Sequence, residues 1–395
     1  MTDSGRIPDT TKEFSPNKIS FPKSRASKVV NLVLSGGGIK GIAFVGAIEV
    51  VENRGYQWGN IAGVSAGAVA GAFLAAGYKA GELRSIMEEF DFGSIELSEV
   101  SKRLSSFYHF HQLGIDPLTS RGMRAEDFFR YMGPCNSEED NVSSEEFMAS
   151  RSGMIHKIVT YSKVGHILDG DCLEEWLEDV LKRKGIRTFG DLRGGIPDKV
   201  NPKGYKVRMT CVDANRKKVI VLPDDLEYYK IDPDSFPVPK AIRMSTCVPF
   251  AFKPVELKFT EKETQKTHYF IDGGVFDNFP FWLIDNMKNI VKIGFRLDGG
   301  NKKKFLSLDT PLTIFKSLVS AVNDIGIPKK VYNLGYVAKI NTSKVSFLDF
   351  KLSQEEKEYL YQSGKKASTR FVNNLEHMGV LGKRRNRFGF RIIRL

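Results

Sequence analysis

Two hydrophobic periods alternate along this chain. Val29 to Leu34 is an almost unbroken apolar run, too short for a helix and rich in valine, which predicts a strand covered on both faces. It ends in Ser35-Gly-Gly-Gly-Ile-Lys-Gly41, and an apolar helix is predicted from Ile42 to Val51. A second strand, Ile61 to Val64, runs into Gly63-Val-Ser-Ala-Gly67 and then into a helix of small residues from Ala66 to Tyr78. Strand, glycine turn and helix, twice over, predict βα units and a mostly parallel sheet. Downstream, Cys172 to Lys182 puts Leu173, Trp176, Leu177 and Val180 on one helical face. Two strand-like runs between Lys206 and Leu222 flank Asp213-Ala-Asn215 as a hairpin, and Tyr269 to Ile271 and Val291 to Leu297 read as strands. Thr310-Pro311 has the form of a helix start, opening an amphipathic run with Leu312, Phe315, Leu318, Val319 and Val322.

The glycine turns are where chemistry fits. In Gly63-Val-Ser-Ala-Gly67, Ser65 lies between a strand and a helix, the setting of a nucleophile elbow, with Gly63 and Gly67 letting neighbouring backbone pass without a Cβ. The loop at Gly36, Gly37 and Gly38 opens onto a helix start, so its N–H groups can hold a phosphate or a transient oxyanion. Gly36, Gly38 and Gly41 also satisfy the spacing of a dinucleotide fingerprint. That reading wants an acid at the end of the second strand, where this chain has Ser65. Lys40 is followed by Gly41 rather than serine or threonine, which excludes a P-loop. Far downstream, Tyr269-Phe-Ile-Asp-Gly-Gly-Val-Phe-Asp-Asn-Phe-Pro280 delivers Asp272 onto a turn made by Gly273 and Gly274, where it also suits a helix N-cap. Asn278 and Pro280 read as turn and helix-start residues.

Glycine loop, G-x-S-x-G elbow and D-G-G segment, in that order, resemble the patatin-like phospholipase family. Ala241-Ile-Arg-Met-Ser-Thr-Cys-Val-Pro-Phe-Ala-Phe-Lys-Pro254 is similar to a further segment that the family carries shortly before D-G-G, so the resemblance covers about Asn31 to Pro280. It implies a three-layer α/β/α fold with a mostly parallel central sheet. It also implies a serine acyl hydrolase acting on glycerolipids without a metal or cofactor. Ser65 would be the nucleophile and Asp272 the general base. The oxyanion hole would come from Gly36, Gly37, Gly38 and Gly41 with Ala66, and Lys40, where many members have arginine, would keep a positive charge beside the loop. An aspartate near its ordinary pKa of about 3.9 is a weak base for a hydroxyl, so burial must raise it or hydrogen bonding must orient the pair. The same acyl enzyme can pass its acyl group to water or to an alcohol, leaving an acyltransferase as the nearest alternative. A catalytically silent lipid-binding module is the alternative of a different class. A Ser-Asp-His triad using His377 competes in chain order, but several strands normally precede the elbow in that fold, and His377 reads as the end of a helix before Gly379.

Length and composition add the organisation. The chain has 395 residues with 41% apolar content, enough for a large α/β domain with appendages. A flexible tail is expected over residues 1–27 and the catalytic domain over 28–298. A helical insertion is expected at about 92–192, and a helical extension with a basic tail over 299–395. Met1 to Ala26 has no apolar core of a secretory signal, and Cys135, Cys172, Cys211 and Cys247 form no C-x-x-C pair, which suits thiols of a reducing, cytoplasmic setting. Net charge is +12, and Lys383, Arg384, Arg385, Arg387, Arg391 and Arg394 carry half of it beside Phe388, Phe390, Ile392, Ile393 and Leu395. Such a tail suits peripheral contact with an anionic membrane; a packed terminal strand with solvated arginines fits equally. No nucleic-acid-binding motif accompanies the charge.

Overall fold

The computed structural model describes residues 28–89, 170–249, 251–284, 290–299, 336–345 and 352–382. The expectations for residues 1–27, for most of the insertion at 92–192, for the helix opening at Thr310 and for the basic tail from Lys383 lie outside the described residues.

Eight described strands form one sheet. β1 (Val29–Leu34) lies between β2 (Gln57–Val64) and β7 (Val291–Asp298), all parallel; β3 (Val207–Asp213) extends the parallel set beyond β2, and β8 (Tyr336–Asn341) extends it beyond β7. β4 (Lys218–Leu222), β5 (Val255–Glu261) and β6 (Thr264–Asp272) are antiparallel. The continuous apolar reading of β1 has the expected cause, since Leu32 and Leu34 face a helical layer while Val33 packs with Ala62, Phe279, Phe281 and Leu283 on the other face. The helical layer holds α1 (Ile42–Asn53), α2 (Ala66–Ala75), α3 (Ala80–Glu89), α4 (Asp171–Lys182), α5 (Val238–Ser245) and α6 (Gln354–His377). With the short helical turn Phe281–Ile284 covering the opposite face, the sheet is the middle of three layers.

Two expectations need correction. The segment from 299 onward is not only helical. It adds β8 to the sheet edge, and α6 lies against α1 so closely that a Cβ on Gly364 would sit 1.8 Å from the Ala43 carbonyl oxygen. The apolar stripe of α6 is interrupted by polar residues, and only its long-range contact with α1 shows which face is inside. Trp176, expected in the core stripe of α4, is only half-buried, stacking edge-on to Phe73, whereas Leu173, Leu177 and Val180 are buried.

Strand register places the site. β4 pairs with residues 209–213 of β3 on one edge, so the other edge must hold both β2, which pairs with Val207 to Thr210, and β6, which pairs with Cys211 to Asp213. β2 and β6 therefore meet end to end. Val64 is opposite Thr210 and Asp272 is opposite the next residue, Cys211, so the strand that ends at the elbow and the strand that ends at D-G-G stop beside each other.

Candidate active site

Ser65 follows the last residue of β2 and caps α2 with φ 53° and ψ −123°, a left-handed φ that a residue with a Cβ seldom adopts. The elbow is possible because of its glycines. A Cβ on Gly63 would lie 2.3 Å from the Gly67 carbonyl oxygen, and one on Gly67 would lie 2.3 Å from that of Leu34, both backbone atoms that cannot swing away. Ser65 is buried at 5% exposure and Asp272 at 4%.

Asp272 ends β6 and caps the short turn Gly273–Val275, its carboxylate accepting from the Gly274 N–H at 2.7 Å and from the Ser65 hydroxyl. It is thus both N-cap and partner of the candidate nucleophile. Burial pushes its pKa up to about 6, against the opposing pull of the Ser65 and Gly274 hydrogen bonds. A carboxylate so placed is a better base for a hydroxyl than a solvated aspartate. Gly273 admits the close approach of the turn to β3, because a Cβ there would sit 2.6 Å from the Thr210 carbonyl oxygen.

The glycine loop needs revision. The Gly36 N–H is bonded to the Asn278 carbonyl at 3.0 Å, so Gly36 is not an oxyanion donor. Among the described residues no backbone partner takes the N–H groups of Gly37, Gly38 or Ala66, and these remain the candidates. Gly41 serves packing, since its Cβ would come 3.1 Å from that of Ala66. The left-handed position of the loop is Gly38, at φ 57°, whereas Gly37 is extended at φ 165° and is small because Leu297 lies against it. Lys40 directs its ammonium toward Gly299, and burial lowers its pKa while Asp298 draws it back up.

Three residues given no chemical role from sequence belong to this constellation. The Ser35 hydroxyl, fully buried, donates to the Gly36 carbonyl and accepts from the Leu297 N–H, both at 3.0 Å. Asn278 holds the Gly36 N–H through its carbonyl, and its side chain fills the space beside Gly36 and Gly274. Ser245 accepts the Ser65 N–H at 3.0 Å. The signal available for Ser245 was the similarity of the segment around it; Ser35 and Asn278 adjoin motifs but carry no pattern of their own.

His377 is exposed at the C-terminal end of α6 and is not among the hydrogen-bond partners of Asp272. His268 instead binds the Asp213 carboxylate at 2.7 Å, inside a cluster with Tyr229. Cys211 and Cys247 are buried free thiols whose pKa values burial pushes up, which disfavours thiolate chemistry.

Residues 32–285 match the family model of the patatin-like phospholipases, and the chain belongs to that family. Among curated relatives it is 30% identical to the Bacillus subtilis protein YqhO over 86% of this chain and 97% of that one. It is 24% identical to protein R571 of Acanthamoeba polyphaga mimivirus, over 89% of this chain and 95% of that one. Of solved structures, VipD from Legionella pneumophila aligns at 16% identity with a TM-score of 0.45, covering 87% of this chain and 67% of that one.

Proposed function

We propose that this protein is a serine acyl hydrolase that cleaves fatty-acyl esters of glycerophospholipids through a Ser65-Asp272 dyad. The observation that carries the reading is the buried Ser65 hydroxyl bonded to a carboxylate whose pKa burial raises to about 6, at the start of α2. As Ser65 Oγ attacks the ester carbonyl carbon, Asp272 takes its proton, and the N–H groups of Gly37, Gly38 and Ala66 hold the carbonyl oxygen as it becomes negative. Collapse breaks the ester C–O bond, and Asp272 returns the proton to the departing alkoxide, the lysolipid. Water, deprotonated by Asp272, then attacks the acyl carbon, releases the fatty acid and restores the Ser65 hydroxyl. Among the described residues no helix is long and apolar enough to cross a membrane. Access to lipid is assigned to peripheral adsorption through the basic tail from Lys383 to Arg394.

The test is active-site labelling with a fluorophosphonate, located by mass spectrometry, alongside fatty-acid release from phospholipid vesicles. Labelling at Ser65 is expected, and Ser65→Ala and Asp272→Asn should each abolish release, with the double variant no worse, because the two act as a unit. Asp272→Asn retaining most of the wild-type turnover would refute the dyad.

A further inference from the structure

Ser65 and Asp272 stand at the ends of two strands that are each paired to β3 but not to one another. β2 and β6 share an edge of β3 but meet end to end, so no ladder hydrogen bond joins one to the other. Ser65 is at a backbone angle where its N–H serves neither the β2 ladder nor the first turn of α2, and a buried N–H left without a partner is destabilising. Both deficits are met by one short segment at the end of α5. Ser245 Oγ accepts the Ser65 N–H at 3.0 Å, and two residues on, the Cys247 carbonyl accepts the Asp272 N–H at 2.8 Å.

We propose that Ser245-Thr246-Cys247 is a bracket that sets the distance and angle between nucleophile and base, with Ser245 as a positioning residue for the reaction. The inference rests on the Ser65-Asp272 reading. The Ser245 hydroxyl works in both directions: besides accepting from Ser65 it donates to the Thr210 carbonyl at 2.7 Å, which fixes the direction of its proton. Thr210 is the β3 residue opposite Val64, and its carbonyl also bounds Gly273, so one hydroxyl is tied to the strands of both dyad members. The bracket is itself held. Thr246 Oγ1 donates back to the Ile242 carbonyl at 2.9 Å, and Cys247 Sγ donates to the Lys253 carbonyl at 3.0 Å. The buried Arg243 guanidinium adds bonds to the carbonyls of Gly170 and Lys253 and stacks on Phe252. Ser245 is fully buried, so it orients Ser65 and does not touch substrate.

The experiment uses the full chain, a soluble short-chain nitrophenyl ester, and a fluorophosphonate to count active sites. Ser245→Ala should lower kcat per folded molecule by about ten- to a hundredfold with KM little changed, since a misplaced nucleophile affects the transition state rather than ester binding. The labelling rate constant should fall in step. The acid limb of the pH profile should move upward, because the Ser65 hydrogen bond that holds the Asp272 pKa down is weakened. Ser245→Thr, which keeps the hydroxyl, should recover the acid limb and most of kcat. If Ser245→Ala is too unstable to purify, Ser245→Cys, near in size and a weak acceptor, is read in the same way. A variant that loses only melting temperature, with wild-type kcat, labelling rate and acid limb, overturns the bracket. Wild-type protein that neither labels nor turns over the ester sinks the dyad reading instead, so the two failures are distinct.

Discussion

Asp272→Asn should make the protein more stable as it makes it inactive. The wild-type carboxyl titrates at about 6 instead of the ordinary 3.8, because burial penalises the charged form by more than the Ser65 and Gly274 hydrogen bonds return. Between those values the folded state binds more protons than the unfolded state, so unfolding free energy falls as pH rises through the window, and the loss is complete above about 6. A displacement of about two pKa units corresponds to about 3 kcal/mol, an upper bound on what the charged form withholds from stability at pH 8. An asparagine keeps both contacts in reach: its oxygen can accept from the Gly274 N–H, and its NH2 group can donate to Ser65 Oγ. Denaturant titrations at pH 8 and pH 4 should show a gain for Asp272→Asn at the higher pH that vanishes at the lower. Under the proposed dyad the same displacement sets the acid limb of the wild-type rate. With a base of pKa about 6, kcat/KM at pH 5 should be about one tenth of its plateau, whereas an aspartate at about 3.9 would keep about nine tenths. An acid limb near pH 4, together with no pH-dependent stability gain, would refute the reasoning that burial makes this carboxylate a base.

Gly67→Ala should cost about 3 kcal/mol or more by thermal melt, because its Cβ would lie 2.3 Å from the Leu34 carbonyl oxygen and backbone must shift. Gly38→Ala, at φ 57°, carries strain of about 1 to 2 kcal/mol and turns a candidate oxyanion donor, so steady-state assays should show kcat falling more than KM rises. His377→Ala should leave ester turnover within about twofold of wild type, given its exposure at the end of α6; a loss of several orders of magnitude would restore a triad. Deleting Lys383 to Leu395 should weaken binding to anionic vesicles and hydrolysis there, increasingly so with salt, while a short soluble ester is still cleaved. Loss of both activities with a lower melting temperature would mark the tail as a structural strand.

What the sequence determined by itself is local. Val29 to Leu34 had to be a doubly covered strand because no polar face interrupts it, and Gly63 and Gly67 could be read as spacers because a serine between a strand and a helix leaves the backbone no room for a Cβ. The hairpin around Asp213-Ala-Asn215 and the cap at Asp272 were legible for the same reason, since turn residues act within a few positions of themselves. Tertiary structure decided whatever depends on residues distant in the chain. No periodicity tells that β6 docks onto β3 where β2 leaves off, and that register brings Asp272 beside Ser65 across some two hundred residues. It also removed Gly36 from the candidate oxyanion donors, because the Asn278 carbonyl reaches its N–H first, and brought Ser245 to the Ser65 N–H through a contact that spacing cannot show. The Asp272 pKa belongs to the same group: residue type sets its ordinary value, and only the packing around it supplies the desolvation that raises it.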